Sequence, residues 1–327
     1  MIVTKIYSLI RKFLIFIFIY LTYLGNAQQY PWWSQYRNNQ TLYNPAFCGT
    51  KRVVDIRINY RNQWTGFDGS PKTYALALNS RLWKGRIGVG GFIFKDDIGP
   101  FRNLSTSLTA AYHLKFADSE ISFGVQGNYL RQTFNGTDVT LRNQQDKAVN
   151  QYAEDKDSNF DGSFGLLYYN DRFHLGVGAN NIASSKFEFY KNDSLKKGRF
   201  TNVPHYNLSA GFNWADDPNF TFENSVLAVY VPGVPFSFDY TLRLHMRQQL
   251  IAGLSFRLND AIALQLGYTI KENFQISYSY DIVTSPLRKY QSGSHELSLV
   301  FSSNMGTDKK RRGLDKRFIR QRYQYLL

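Results

Sequence analysis

The stretch Phe274-Gln275-Ile276-Ser277-Tyr278-Ser279-Tyr280-Asp281-Ile282 decides the fold. Every second residue is apolar, and Gln, Ser, Ser and Asp stand between them. A strand turns successive side chains to opposite faces, so this run has one apolar and one polar face. The pattern recurs along most of the chain. Val54, Ile56, Ile58 and Tyr60 alternate with Asp55, Arg57, Asn59 and Arg61. Tyr206, Leu208, Ala210, Phe212 and Trp214 alternate with Asn207, Ser209, Gly211 and Asn213. Ile262, Leu264, Leu266 and Tyr268 alternate with Ala263, Gln265, Gly267 and Thr269.

Two all-β architectures share this alternation, a soluble sandwich and a membrane barrel. Three features favour the barrel. The polar face is rich in Gly, Ser and Asn instead of Lys and Glu. The runs are about 9–11 residues, the length a tilted strand needs to cross a bilayer. Aromatics make up 17% of the chain, with 23 Tyr and 26 Phe, as expected where aromatic girdles mark both membrane interfaces. The negative mean hydropathy does not oppose this, because a polar lumen face cancels the lipid face in any average.

The N-terminus reads as an export signal. Lys5, Arg11 and Lys12 precede an apolar core, Phe13 to Leu24, and Gly25 and Ala27 supply the small-x-small cleavage pattern. The expected organisation is a signal peptide at 1–27, a periplasmic or plug segment at 28–50, an outer-membrane barrel at 51–303 and a basic tail at 304–327. The barrel is antiparallel with about fourteen strands, an even number as such barrels have. Short spacers such as Ala117-Asp118 and Asn170-Asp171 then fall on the periplasmic side, and the long polar segments 133–159 and 181–203 on the outer side. Asn259-Asp260 fits less well, as a tight turn on the outer side.

The formal net charge of +14 raises the question of nucleic acid. The basic residues are spread over turns and polar faces, and no base-reading module is present, so no nucleic-acid partner is expected. The exception is the tail, where Lys309, Lys310, Arg311, Arg312, Lys316, Arg317, Arg320 and Arg322 stand against Asp315. The one cysteine, Cys48, allows no intrachain disulfide and no cysteine cluster. Catalysis requires a nucleophile, a base and an orienting group within reach. His113, His174, His205, His245 and His295 form no such set and no metal spacing. His295 and Glu296 are adjacent, so a regular strand points them to opposite faces. The expectation is no enzyme, no cofactor and no metal.

One polar cluster follows from the barrel. If the last strand closes on the first, Arg61, Asp281 and Glu296 all lie on the lumen wall near the outer end. Charges in such a wall need partners, so these three are expected to form an ion-pair network that locks closure and anchors the outer loops.

The same regions carry a resemblance. Gln35 and Tyr36, followed by Asn44-Pro45-Ala46-Phe47 and Gly49, resemble an Asn-Pro-Ala-x-x-Gly signature. Tyr60-Arg61-Asn62-Gln63-Trp64 resembles a Tyr-Arg-x-Gln-Trp element. Tyr278-Ser279-Tyr280-Asp281 with Gly293-Ser294-His295-Glu296-Leu297 resembles a C-terminal element. Together they are similar to the PorP/SprF family of outer-membrane proteins of type IX secretion and gliding motility. The resemblance singles out Asn44, Pro45, Gly49, Trp64, Tyr280, Ser294 and His295, with no catalytic residue among them. It implies an integral barrel in the outer membrane of a Gram-negative bacterium, surrounded by outer-membrane lipid. The implied partners are a secreted cargo or adhesin protein and other type IX secretion components. A channel for small solutes is the alternative, since about fourteen strands enclose a lumen wider than side chains fill. A barrel lipid hydrolase would need a facing Ser-His pair.

Overall fold

The computed structural model describes residues 31–51, 54–82, 85–139, 154–189, 198–217, 219–247, 249–271 and 273–303. The expected signal peptide and basic tail lie outside the described residues. The first nine strands are β1 (Val54–Asn62), β2 (Lys72–Leu82), β3 (Ile87–Ile98), β4 (Phe101–Phe116), β5 (Ser119–Asn135), β6 (Glu154–Asn170), β7 (Phe173–Asn180), β8 (Lys186–Phe189) and β9 (Gly198–Thr201). The rest are β10 (His205–Asp217), β11 (Phe220–Tyr230), β12 (Ser237–Met246), β13 (Leu250–Arg257), β14 (Ala261–Ile270), β15 (Phe274–Val283) and β16 (Ser294–Ser303).

Fourteen of these strands form one closed antiparallel barrel, each pairing with its neighbours in sequence order. β8 and β9 form a separate two-stranded hairpin, and β7 pairs directly with β10 across it. Closure is made by β16 against β1, with Arg61 opposite Glu296 and Asn62 opposite His295. A closed sheet leaves no edge, so every strand pairs on both sides, as a hydrocarbon surround demands. The side chains follow the alternation. Leu264 and Leu266 are 49% and 66% exposed on the lipid face, while Ala263 and Gln265 beside them are 1% and 4% exposed on the lumen face.

The expected strand length fails on one side of the barrel. β4, β5 and β6 run to 16, 17 and 17 residues, well past a bilayer crossing. β5 and β6 invade the expected loop 133–159, pairing as far as Asn135 with Glu154. Glu154-Asp155-Lys156-Asp157 has no apolar alternation, so only cross-strand backbone pairing reveals it as strand. The expected alternation of loop lengths also has exceptions. β13 joins β14 through a tight outer turn at 258–260, with Asn259 at φ 57°, and β3 joins β4 through Gly99 and Pro100 alone.

Fourteen strands leave a lumen that wall side chains do not fill, and residues 31–50 fill it. The sequence left this segment either periplasmic or in the lumen. Its three short 3-10 turns, Tyr36–Asn38, Gln40–Leu42 and Pro45–Phe47, lie inside the wall. Trp33, Tyr36 and Leu42 are essentially fully buried and pack against Ala75, Ala77, Phe92, Phe94 and Leu227 of the wall. This apolar core is the reverse of the outer surface: a few inward Phe and Leu residues stand where the lumen segment, not lipid, covers them. The segment enters beside the outer end of β12, where the Trp32 indole N–H donates to Asp239 Oδ2 at 3.3 Å. It leaves past Gly88 near the inner end of β3 and runs into β1.

The lumen segment and its seat as the candidate functional site

The inner half of the segment rests on a floor of bare backbone. Asn44 caps the turn Pro45–Phe47 by accepting from the Ala46 N–H at 2.9 Å, and Pro45 sits where a first helical residue has no N–H to lose. The Asn44 amide donates to two strand carbonyls, Leu166 O at 3.2 Å and Val177 O at 3.0 Å. Asn180 and Asn207 each donate to Tyr43 O at 2.7 Å. The turn reaches the wall because glycines line it there. A Cβ on Gly124 would overlap the backbone of Pro45 and Ala46, and one on Gly88 would overlap Cys48. Gly49 ends the motif at φ 78°, a conformation an L side chain strains to adopt.

The outer half is held by charge. Arg61 Nη2 lies 2.7 Å from Asp281 Oδ2, and Arg61 Nη1 lies 3.1 Å from Glu296 Oε2. All three side chains are buried to within 1% exposure. The structure thus brings together the residues expected at the closing seam, but their main charge is not an outer loop. Glu296 accepts the backbone N–H groups of Ser34 at 2.8 Å and Gln35 at 3.0 Å. Ser34 Oγ donates to Asp281 at 2.7 Å and accepts from Arg61 at 2.9 Å and Arg257 at 2.8 Å. Arg257 also stacks over the Trp32 ring, 5.5 Å from its centroid. The expected anchoring of outer loops is corrected: the network anchors the lumen segment. The reason is geometric, since inward strand residues reach whatever fills the lumen before they reach a loop.

Trp64, Tyr280, Ser294 and His295 lie just outside this network, at the outer end of the same seam. The Trp64 N–H donates to Ser294 Oγ at 3.0 Å, and Thr65 exchanges backbone hydrogen bonds with Gly293 and Ser292. Tyr280 donates to Ser292 O at 2.7 Å and its ring lies 5.1 Å from that of His295, which also meets the Tyr278 hydroxyl at 2.6 Å. These residues zip loop 63–71 to loop 284–293. His295 faces outward and Glu296 inward, so the adjacent pair serves two separate structures.

Sequence reasoning missed three parts of the site. A second ion cluster joins Glu223 to Arg37 of the lumen segment and to Arg243 and His245 of the wall. A third, near the inner end, links Arg81, Glu120 and Tyr169, with Tyr169 in turn 3.0 Å from His113. Inward charges at strand spacing were the available signal, but which strands face one another across the lumen was not. The third is Asp161, whose carboxylate accepts from the Ala183 and Ser185 N–H groups and the Ser185 hydroxyl at 2.9–3.3 Å. It fixes the root of the β8–β9 hairpin, which buries Phe187 and Phe189. Asp161→Ala is expected to free this root and to make segment 181–204 a rapid protease site while the barrel stays resistant. Limited proteolysis of the purified protein checks it, and unchanged cleavage would remove Asp161 from this role.

Among the described residues no group of three or more His, Cys, Asp or Glu side chains is placed to hold a metal ion. The chain matches the family model of the type IX secretion system membrane protein PorP/SprF over residues 25–301. It belongs to the PorP/SprF family. The matched span contains the lumen segment and all of the barrel but the last two residues of β16. No curated protein matches the chain. Among solved structures it is similar to the Ralstonia pickettii toluene transporter TbuX, at 10% identity and a TM-score of 0.53, covering 81% of this chain and 92% of that one. It is also similar to the CymD monoaromatic hydrocarbon channel at 11% identity and TM-score 0.48, covering 86% and 95% of the two chains. At such identities the likeness concerns the barrel fold alone. Family and fold together place this PorP/SprF protein in the outer membrane as an integral barrel of the type IX secretion system.

Proposed function

We propose that this PorP/SprF barrel is a non-enzymatic, cargo-specific partner that helps a secreted protein, such as an adhesin, leave the cell or stay attached to its surface. The observation that carries this reading is the filled lumen. Residues 31–50 occupy the space a solute would cross, held by ion clusters at two levels of the lumen and by a packed aromatic core. What remains to the barrel is its outer face. There β4 to β6 extend beyond a bilayer's thickness and the β8–β9 hairpin is pinned to β6. Loops on a rigid scaffold are where binding normally resides. Other secretion components are the expected partners on the periplasmic side.

Removing residues 181–203 tests the reading. Cargo retention at the cell surface is expected to be lost while the barrel remains heat-stable; unchanged retention would overturn the assignment of that segment. The purified barrel in a planar bilayer is expected to be electrically silent. A steady open pore would favour the alternative, an outer-membrane channel for small solutes.

A further inference from the structure

The inner end of the lumen holds an excess of positive charge around an open cavity. The cavity, about 490 Å³ with its mouth included, lies between the lumen segment and the inner ends of β1, β6, β7 and β10. Arg37, Lys51 and Arg57 line it, with Arg172 exposed at the inner turn between β6 and β7. Arg57 and Lys51 share one carboxylate, Asp55, with Lys51 at 3.3 Å. Arg37 shares Glu223 with Arg243. Among the described residues, four buried or half-buried cations therefore meet two carboxylates, a surplus of two positive charges before Arg172 is counted. Buried charge left uncompensated is strongly unfavourable.

Two further observations point to an anion site. Lys51, which precedes the first strand, is pushed down to about 8 by burial and by the nearby Arg57 and Arg37, and Asp55 only partly offsets them. Thr41, 5% exposed, lines the same cavity, and its buried hydroxyl has no hydrogen-bond partner. A hydroxyl beside clustered guanidinium and ammonium groups is the donor set that phosphate oxygens accept from. A single carboxylate would leave one charge unmet, whereas a phosphate group near neutral pH carries about −1.5 to −2.

We propose that this cavity binds a phosphate oxyanion entering from the periplasmic side, as the free ion or as the phosphomonoester headgroup of a phosphatidic-acid lipid. Occupancy would tie the lumen segment, through Arg37 and Thr41, to the start of β1 and to the β6–β7 turn. It would thus set how firmly the inner end of the segment is seated.

The test uses the full-length protein in detergent micelles. Its melting temperature is followed with inorganic phosphate, with short-chain phosphatidic acid, and with chloride at equal ionic strength. A rise with phosphate alone assigns the free ion, and a rise with the lipid alone assigns the headgroup. No rise beyond chloride with either overturns the proposal. Lys51→Met and Thr41→Val are each expected to weaken the response about tenfold in half-saturating concentration, and Lys51→Arg to restore it. A response undiminished in both variants would also overturn it. If Lys51→Met does not fold, Thr41→Val with the wild-type comparison decides.

Discussion

Arg61→Met is expected to destabilise the barrel by about 3–5 kcal/mol, because it leaves buried carboxylates without their cation. Asp281 keeps Arg257 at 3.6 Å, but Glu296 keeps only the two N–H groups of Ser34 and Gln35. The folded, heat-resistant band on a detergent gel should be lost at a temperature lower by roughly 10 °C. The double variant Arg61→Met with Glu296→Gln should recover part of the loss, since the stranded charge is then gone. Equal melting of wild type and the single variant would show that the three groups are separately hydrated and not a network.

Gly124→Val is expected to lift the Asn44–Gly49 turn off its seat without preventing closure of the barrel. The new side chain would need the space that the backbone of Pro45 and Ala46 occupies, and backbone held by Asn44 to two strands cannot shift far. Cys48 reports the outcome. It is the chain's one cysteine and is fully buried between the segment and the wall. In the wild type its thiol should resist maleimide labelling in the folded protein. In Gly124→Val it should label quickly, and the variant should conduct where the wild type is silent. Normal folding with an unlabelled thiol would show that the wall yields instead of the turn.

How much of this was legible in the chain is clear from particular residues. Tyr278, Tyr280 and Ile282 facing lipid, and Ser279 and Asp281 facing inward, follow from the period alone, because successive strand residues must alternate. The number of strands and the pairing of Arg61 with Asp281 and Glu296 followed from parity and closure. The lengths of β5 and β6 did not, since Glu154 to Asn159 carry no apolar period and pair only because a partner strand lies alongside. Nor did the seat of the turn. Gly88, Gly124 and Gly165 read as ordinary small strand residues until the Asn44 turn is placed against them.

By itself, then, the sequence determined that this is a closed, antiparallel barrel with a charged seam near its outer end, and its motifs carried the resemblance to the PorP/SprF family. The barrel and its seam are consequences of local alternation and of counting, which a linear chain carries in full. Only the tertiary structure decided that the lumen is filled, that the seam's charges hold residues 31–50, and that, among the described residues, the cations lining the inner cavity outnumber the carboxylates they meet. Those facts depend on which strand faces which across the lumen, and residues such as Arg37 and Glu223, 186 positions apart, share no local pattern that could announce their contact.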